Sequence, residues 1–208
     1  MTMPSILRKL QGGDRRSIGR ASEVVTDVLA DPRLFGVLVA GLFVNDLVVR
    51  ARVADAIEKI SVIHPEYLRP YRAKLVGEFA RCEQKEVRWH VAQMLPRLRW
   101  NTRERQEVYT ILTGYLRDSS SIVKTCAMQA LADLVTQAPT LRPSVMRQLQ
   151  KLMKSGTPAI EHEVGSCSRS LVAQSGPLPE APKGGVLVRK SNGMLAPHPR
   201  AWVYFLYR

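Results

Sequence analysis

The chain has 208 residues, of which 45% are apolar, 6% aromatic and 24% charged, with 31 Lys/Arg against 18 Asp/Glu. Apolar content at this level excludes a wholly disordered polymer, and few aromatics beside many Ala, Leu, Val and Arg favour helices over a β-sandwich. The net charge of +13 divides as +2 over residues 1–30, +7 over 31–174 and +4 over 175–208, so it is spread out and favours acidic partners in general: an acidic protein, nucleic acid or an anionic membrane surface.

In chain order, "MTMPSILRKLQGG" is not followed by the apolar stretch of a signal peptide. The segment "RRSIGRASEVVTDVLA" predicts a helix carrying Ile18, Val24, Val25 and Val28 partly on one face, and residues 1–30 read as a helical cap on a larger core. The longest apolar run, "LFGVLVAGLFV" at 34–44, is far shorter than the roughly 20 residues a bilayer span needs, so it reads as a buried helix.

From residue 31 the sequence repeats. Leu38, Leu75, Leu112 and Leu149 are spaced by 37, and each is followed four residues later by Leu42, Phe79, Leu116 or Met153. This i, i+4 pair marks one face of a recurring helix A. Val49, Val87, Val123 and Ile160 head a recurring helix B. Its apolar stripe runs Val49, Val53, Ile57, Ile60, then Val87, Val91, Leu95, Leu98, then Val123, Ala127, Leu131, Leu134, which is one helical face. "HPEYLRP" at 64–70 returns as "APTLRP" at 138–143, and Pro65 and Pro139 suit helix starts. Pro70 and Pro143 bend helix A or mark its start. Asp46 is placed to cap the first helix B, and Asp118 with the serines after it the third. A single helix pair cannot bury its stripe, whereas stacked pairs form a continuous core.

The half-repeat "LRDSSSIVKTCAMQALADL", with "DLVVRARVADAIEKI" and "EVRWHVAQMLPRL", resembles the HEAT repeat. The resemblance covers about residues 31–155. It implies an all-α superhelix, a solenoid of about four helical hairpins over 31–174, that binds partners on its concave face. It places Arg50, Arg88 and Lys124 at the family's basic position, where the side chain bonds to neighbouring turns.

The fourth copy, "IEHEVGSCSRSLV", keeps Ile160 and Val164 but adds Gly165, Ser166, Ser168 and Ser170, which are poor helix formers, so it reads as a terminal cap or a frayed end. Residues 175–208, rich in Pro and Gly, read as a flexible basic tail. Cys82, Cys126 and Cys167 are odd in number, about forty residues apart and form no CxxC, which points to reduced thiols and the cytoplasm.

No catalytic or metal motif is recognised: His64, His90, His162 and His198 do not pair at metal spacing, and GxSxG, P-loop and dinucleotide fingerprints are missing. The chain is therefore expected to be a non-catalytic scaffold or adaptor without a cofactor, binding a protein partner. On a helical wheel Trp89 falls opposite the core of its helix, where the other copies carry Ala51 and Thr125. Either it anchors a partner or it packs on a neighbouring B helix. The expected recognition face comprises Arg52, Trp89, His90, Gln93, Arg97 and Gln129. A second reading is sequence-nonspecific nucleic-acid binding by the turn "RLRWNTRER", through Arg97, Arg99, Trp100, Arg103 and Arg105; here too Trp100 could instead seal the core. A third stems from DNA alkylation-repair glycosylases, which also use HEAT-like repeats, but their Trp-Asp arrangement does not map onto Trp89 and Trp100.

Overall fold

The computed structural model describes residues 3–13, 17–154 and 158–173. These all lie in one compact unit, Met1–Ser175. The expected tail at 175–208 lies outside the described residues.

The described residues form α-helices with 3₁₀ and π-helical turns and no strand. In chain order they are α1 (Ser5–Arg8), α2 (Ala21–Ala30), α3 (Leu34–Ala40), α4 (Leu47–Ile63), α5 (Arg72–Lys74), α6 (Lys85–Met94), α7 (Thr102–Tyr115), α8 (Ser121–Gln137), α9 (Arg142–Met153) and α10 (Pro158–Ala173). None of them is long and apolar enough to cross a membrane. The A positions fall on α3, α5 with the π-helical turn Leu75–Phe79, α7 and α9, and the B positions on α4, α6, α8 and α10.

The predicted stripes are the core. All twelve B-stripe residues are at most 3% exposed, and so are Leu38, Leu75, Leu112 and Leu149 of the A positions. Each Val, Leu or Ile among them removed from water is worth about 1.5–3 kcal/mol, so the repeat spacing is also the spacing of the largest favourable term. The B positions contact one another in sequence, α4 with α6, α6 with α8 and α8 with α10, and α2 packs on α4.

Hydrogen bonds fix their register at both ends. Gln84 Nε2 donates to Leu47 O at 2.8 Å, tying the start of α6 to the start of α4. Arg88 Nε lies 2.8 Å from Asp118 Oδ2, an ion pair rather than an aligned hydrogen bond, joining α6 to the turn before α8. At the far ends, Arg97 Nη1 donates to Glu58 O at 2.6 Å, and Gln137 Nε2 to Pro96 O at 2.5 Å. These hydrogen-bonded partners are 37, 39 and 41 residues apart, so each bond spans about one repeat. On the A side, Tyr115 Oη donates to Ala80 O at 2.7 Å, and Arg72 reaches Glu104 at 2.5 Å.

Several expectations need correction. Pro96 ends α6 at Met94 and opens a 3₁₀ turn, Leu95–Arg97, because it cannot supply the next backbone N–H. Pro70 likewise sits in a 3₁₀ stretch, Pro65–Tyr71, leaving α5 short. Asp46 caps α4 by accepting from the Val48 and Val49 N–H groups at 2.8 and 3.1 Å. Asp118 instead accepts from Ser120 N at 2.8 Å, one turn position before α8, and no side chain caps that helix. The fourth copy is a 16-residue helix on which Val164, Cys167 and Leu171 are buried. Their spacing of three and four residues makes the packing stripe that overrides its glycine and serines. In the amino-terminal segment Val24 and Val28 are fully buried, while Ile18 is 52% exposed.

Candidate functional site: the outer face of the B helices

Counting from the heading valines, equivalent positions of the B helices can be compared directly. Six residues on stand Asp55, Gln93 and Gln129; ten residues on stand Lys59, Arg97 and Asp133. All six side-chain-bearing residues except the inward-tied Arg97 form a half-buried polar row. Lys59 Nζ holds Asp55 Oδ2 at 2.7 Å along α4, and Gln129 Nε2 donates to Asp133 Oδ1 at 3.2 Å along α8. Gln93 Nε2 reaches back to Trp89 O at 3.4 Å. At the same six-residue offset α10 carries Ser166, which is exposed.

Beneath this row lies a buried polar cluster between α4 and α6. Glu58 and Ser61 are 2% and 0% exposed. Arg97, arriving from the turn after α6, pairs with Glu58 Oε1 and donates to Ser61 Oγ at 2.6 Å. His90 adjoins this cluster. Burial holds its imidazole below the ordinary histidine range, although Asp55 and Glu58 act in the opposite sense. Its Nδ1 is buried without a hydrogen-bond partner. The Trp89 ring meets the His90 ring edge-on, with centroids 5.4 Å apart.

The sequence-predicted recognition residues thus separate. Gln93 and Gln129 are half-buried. Trp89 is only 8% exposed and His90 7%, so neither is the exposed anchor expected. The wheel treats one helix alone, and here α4 and α8 both press on α6 and cover its flanks. Arg52 is 4% exposed, its guanidinium enclosed by the amino-terminal loop. It donates to Leu10 O at 2.8 Å, Gly12 O at 2.6 Å and Ser17 O at 3.0 Å. Gly19, at φ +52°, permits that enclosure, since a Cβ there would come within 2.7 Å of Arg52 Cζ. Arg97 is engaged with Glu58 and Ser61.

The basic turn separates in the same manner. Trp100 is 3% exposed, its Nε1 donates to Leu95 O at 2.7 Å, and Arg72 lies over its ring at 4.4 Å. Arg105 Nη2 donates to Trp100 O at 2.8 Å. Only Arg99 and Arg103 are exposed, so the turn offers a phosphate chain two guanidinium groups and no stacking ring. Trp89 and Trp100 are both buried, so neither indole is presented to a base.

Sequence reasoning missed Asp55, Glu58, Lys59 and Ser61. The signal available was Glu58, a charge next to the apolar stripe of α4 at a position where α8 carries Ala132. No known protein-family model matches the chain, and no curated protein matches it significantly.

Proposed function

We propose that the chain is a non-catalytic α-solenoid of the HEAT type, an adaptor that binds a protein partner along the outer face of its B helices. The observation that carries this reading is the half-buried polar row Asp55, Lys59, Gln93, Gln129 and Asp133, repeated at fixed offsets on successive packed helices. Polar groups placed regularly on a rigid surface give an extended partner directional bonds. Trp89 and His90 form the floor of that face and hold its geometry. The basic excess of the whole chain attracts acidic partners by general steering, although the row itself carries two acids and one lysine.

The test is affinity capture with the tagged full chain and quantitative mass spectrometry, wild type against Gln93→Ala/Gln129→Ala/Asp133→Ala. The expected result is loss of a reproducible, stoichiometric protein partner from the variant, with the helical circular-dichroism spectrum kept. An identical partner set from both chains would refute the assignment of this face.

A further inference from the structure

We infer that helix α9 carries a second interaction surface, one that fits the phosphodiester backbone of duplex nucleic acid. Arg147, Gln150, Lys151 and Lys154 line an open depression of about 460 Å³. All four are exposed. The stretch from Arg142 to Lys154 contains four cations and no Asp or Glu. Arg147 Nη2 donates to Ser144 Oγ at 3.0 Å, a weak tie that leaves the guanidinium at the surface.

The spacing suits phosphates. Arg147, Lys151 and Lys154 stand at i, i+4 and i+7, one face of the helix, spanning about 10 Å at 1.5 Å per residue. One strand of a duplex presents a phosphate about every 3.4 Å of its axis, so the stripe faces roughly three of them. Gln150 adds a neutral donor beside the cations, the usual mixture in backbone contacts. A lipid surface fits less well, because Val145 and Leu149 of α9 are fully buried and none of the four residues lining the depression is apolar. Single strands are also less favoured, because the depression has no aromatic lining among the described residues on which a base could stack. Arg117, exposed 37 residues before Lys154 at the end of α7, places a further cation at the equivalent position of the preceding repeat.

The experiment is fluorescence anisotropy of a labelled mixed-sequence 24-base-pair DNA duplex with the full chain between 50 and 200 mM salt. Wild type is expected to bind, with affinity falling steeply as salt rises. Arg147→Gln/Lys151→Gln/Lys154→Gln should weaken binding at least tenfold at 50 mM salt. It should also lower the log–log salt slope by about 2–3, since each neutralised phosphate contributes about 0.9. Arg99→Gln/Arg103→Gln should change binding less than twofold. Arg147→Gln alone, at an exposed position whose loss leaves the fold intact, should weaken binding about threefold. The proposal is overturned if wild type does not bind at 50 mM salt, or if the triple variant binds as wild type does. It is equally overturned if the Arg99/Arg103 variant takes the larger loss, or if poly-glutamate or phosphatidylserine vesicles bind as tightly as the duplex.

Discussion

Helices α4 and α8 occupy the same repeat position two periods apart and have the same length of 17 residues. Their stripes are equally buried, yet their flanks differ. Where α8 buries Cys126, Ala132 and Val135, α4 buries Arg52, Glu58 and Ser61. The stripe sets how each helix packs on its neighbours. The flank decides whether the join is generic or specific. On α8 it is apolar and fits any neighbour of the right shape. On α4 the polar groups are tied to particular neighbours: Arg52 donates to loop carbonyls, and Glu58 pairs with Arg97. A buried ion pair adds little net stability when intact, but it penalises any arrangement that leaves a charge alone.

The strongest way to break the contrast is Glu58→Ala, which gives α4 the residue of α8 and strands Arg97, whose side chain is 8% exposed. The expected loss is about 3–5 kcal/mol, read as a lower urea midpoint. Glu58→Ala/Arg97→Leu should recover most of it, because the uncompensated charge is gone. If the double variant is as unstable as the single one, the pair contributes more than mutual neutralisation.

Arg52→Cys makes the corresponding exchange at the other end of α4. Here the orphaned groups are backbone carbonyls of Leu10, Gly12 and Ser17, which water can reach once the loop lifts. The loss should be about 2–3 kcal/mol, concentrated in the amino-terminal segment. Hydrogen exchange should accelerate in α2 and leave α8 unchanged. Uniform acceleration across all the helices would show that the loop is not a separate fastening.

His90 sharpens the comparison through pH. Burial lowers its folded pKa, so the folded chain binds fewer protons than the unfolded one near the ordinary histidine pKa. Stability is therefore full above about pH 6.5 and falls as pH drops below it, by at most about 1.4 kcal/mol per pH unit for one proton. The groups facing His90 are Asp55, Glu58 and Lys59 of α4 and Arg97 of the turn after α6. Denaturant midpoints between pH 5 and 7.5 should slope in wild type and lose that slope in His90→Phe. At the same offset α8 carries Cys126, so its seam has no equivalent proton site.

These cases also mark what was legible in the sequence. The stripe residues could be read because burial repeats with the helical period, and every B-stripe side chain in the first three copies is in the core. Arg97 could not be read, because its partners Glu58 and Ser61 lie 39 and 36 residues earlier, whereas Trp89 and Trp100 each read equally as anchor or as core and are found buried. An arginine beside a tryptophan reads alike whether it faces solvent or pairs with Glu58. Arg52 is the sharpest case: its position on α4 says nothing of a loop about 40 residues earlier whose glycines, at φ +73°, +74° and +52°, let carbonyls converge on it.

The smallest expected effect tests the helix starts. Asp46 and Ser120 are the N-cap residues of α4 and α8, and both are favoured residue types at that position. Only Asp46 bonds to the first turn of its helix; the Ser120 side chain makes no cap bond, and its backbone N–H donates to Asp118. Asp46→Ala should therefore cost about 1 kcal/mol, while Ser120→Ala should leave the urea midpoint unchanged. At α8 the sensitive residue is instead Asp118, whose other oxygen faces Arg88 across the repeat boundary at 2.8 Å. Asp118→Asn keeps the acceptor for Ser120 and removes the charge, so it isolates the inter-repeat ion pair. With Asp118 at 7% side-chain exposure and Arg88 at 21%, it should destabilise more than Ser120→Ala, and Arg88→Leu should suppress that difference. Equal effects of Asp118→Asn with and without Arg88 would place the role of Asp118 in its own turn alone.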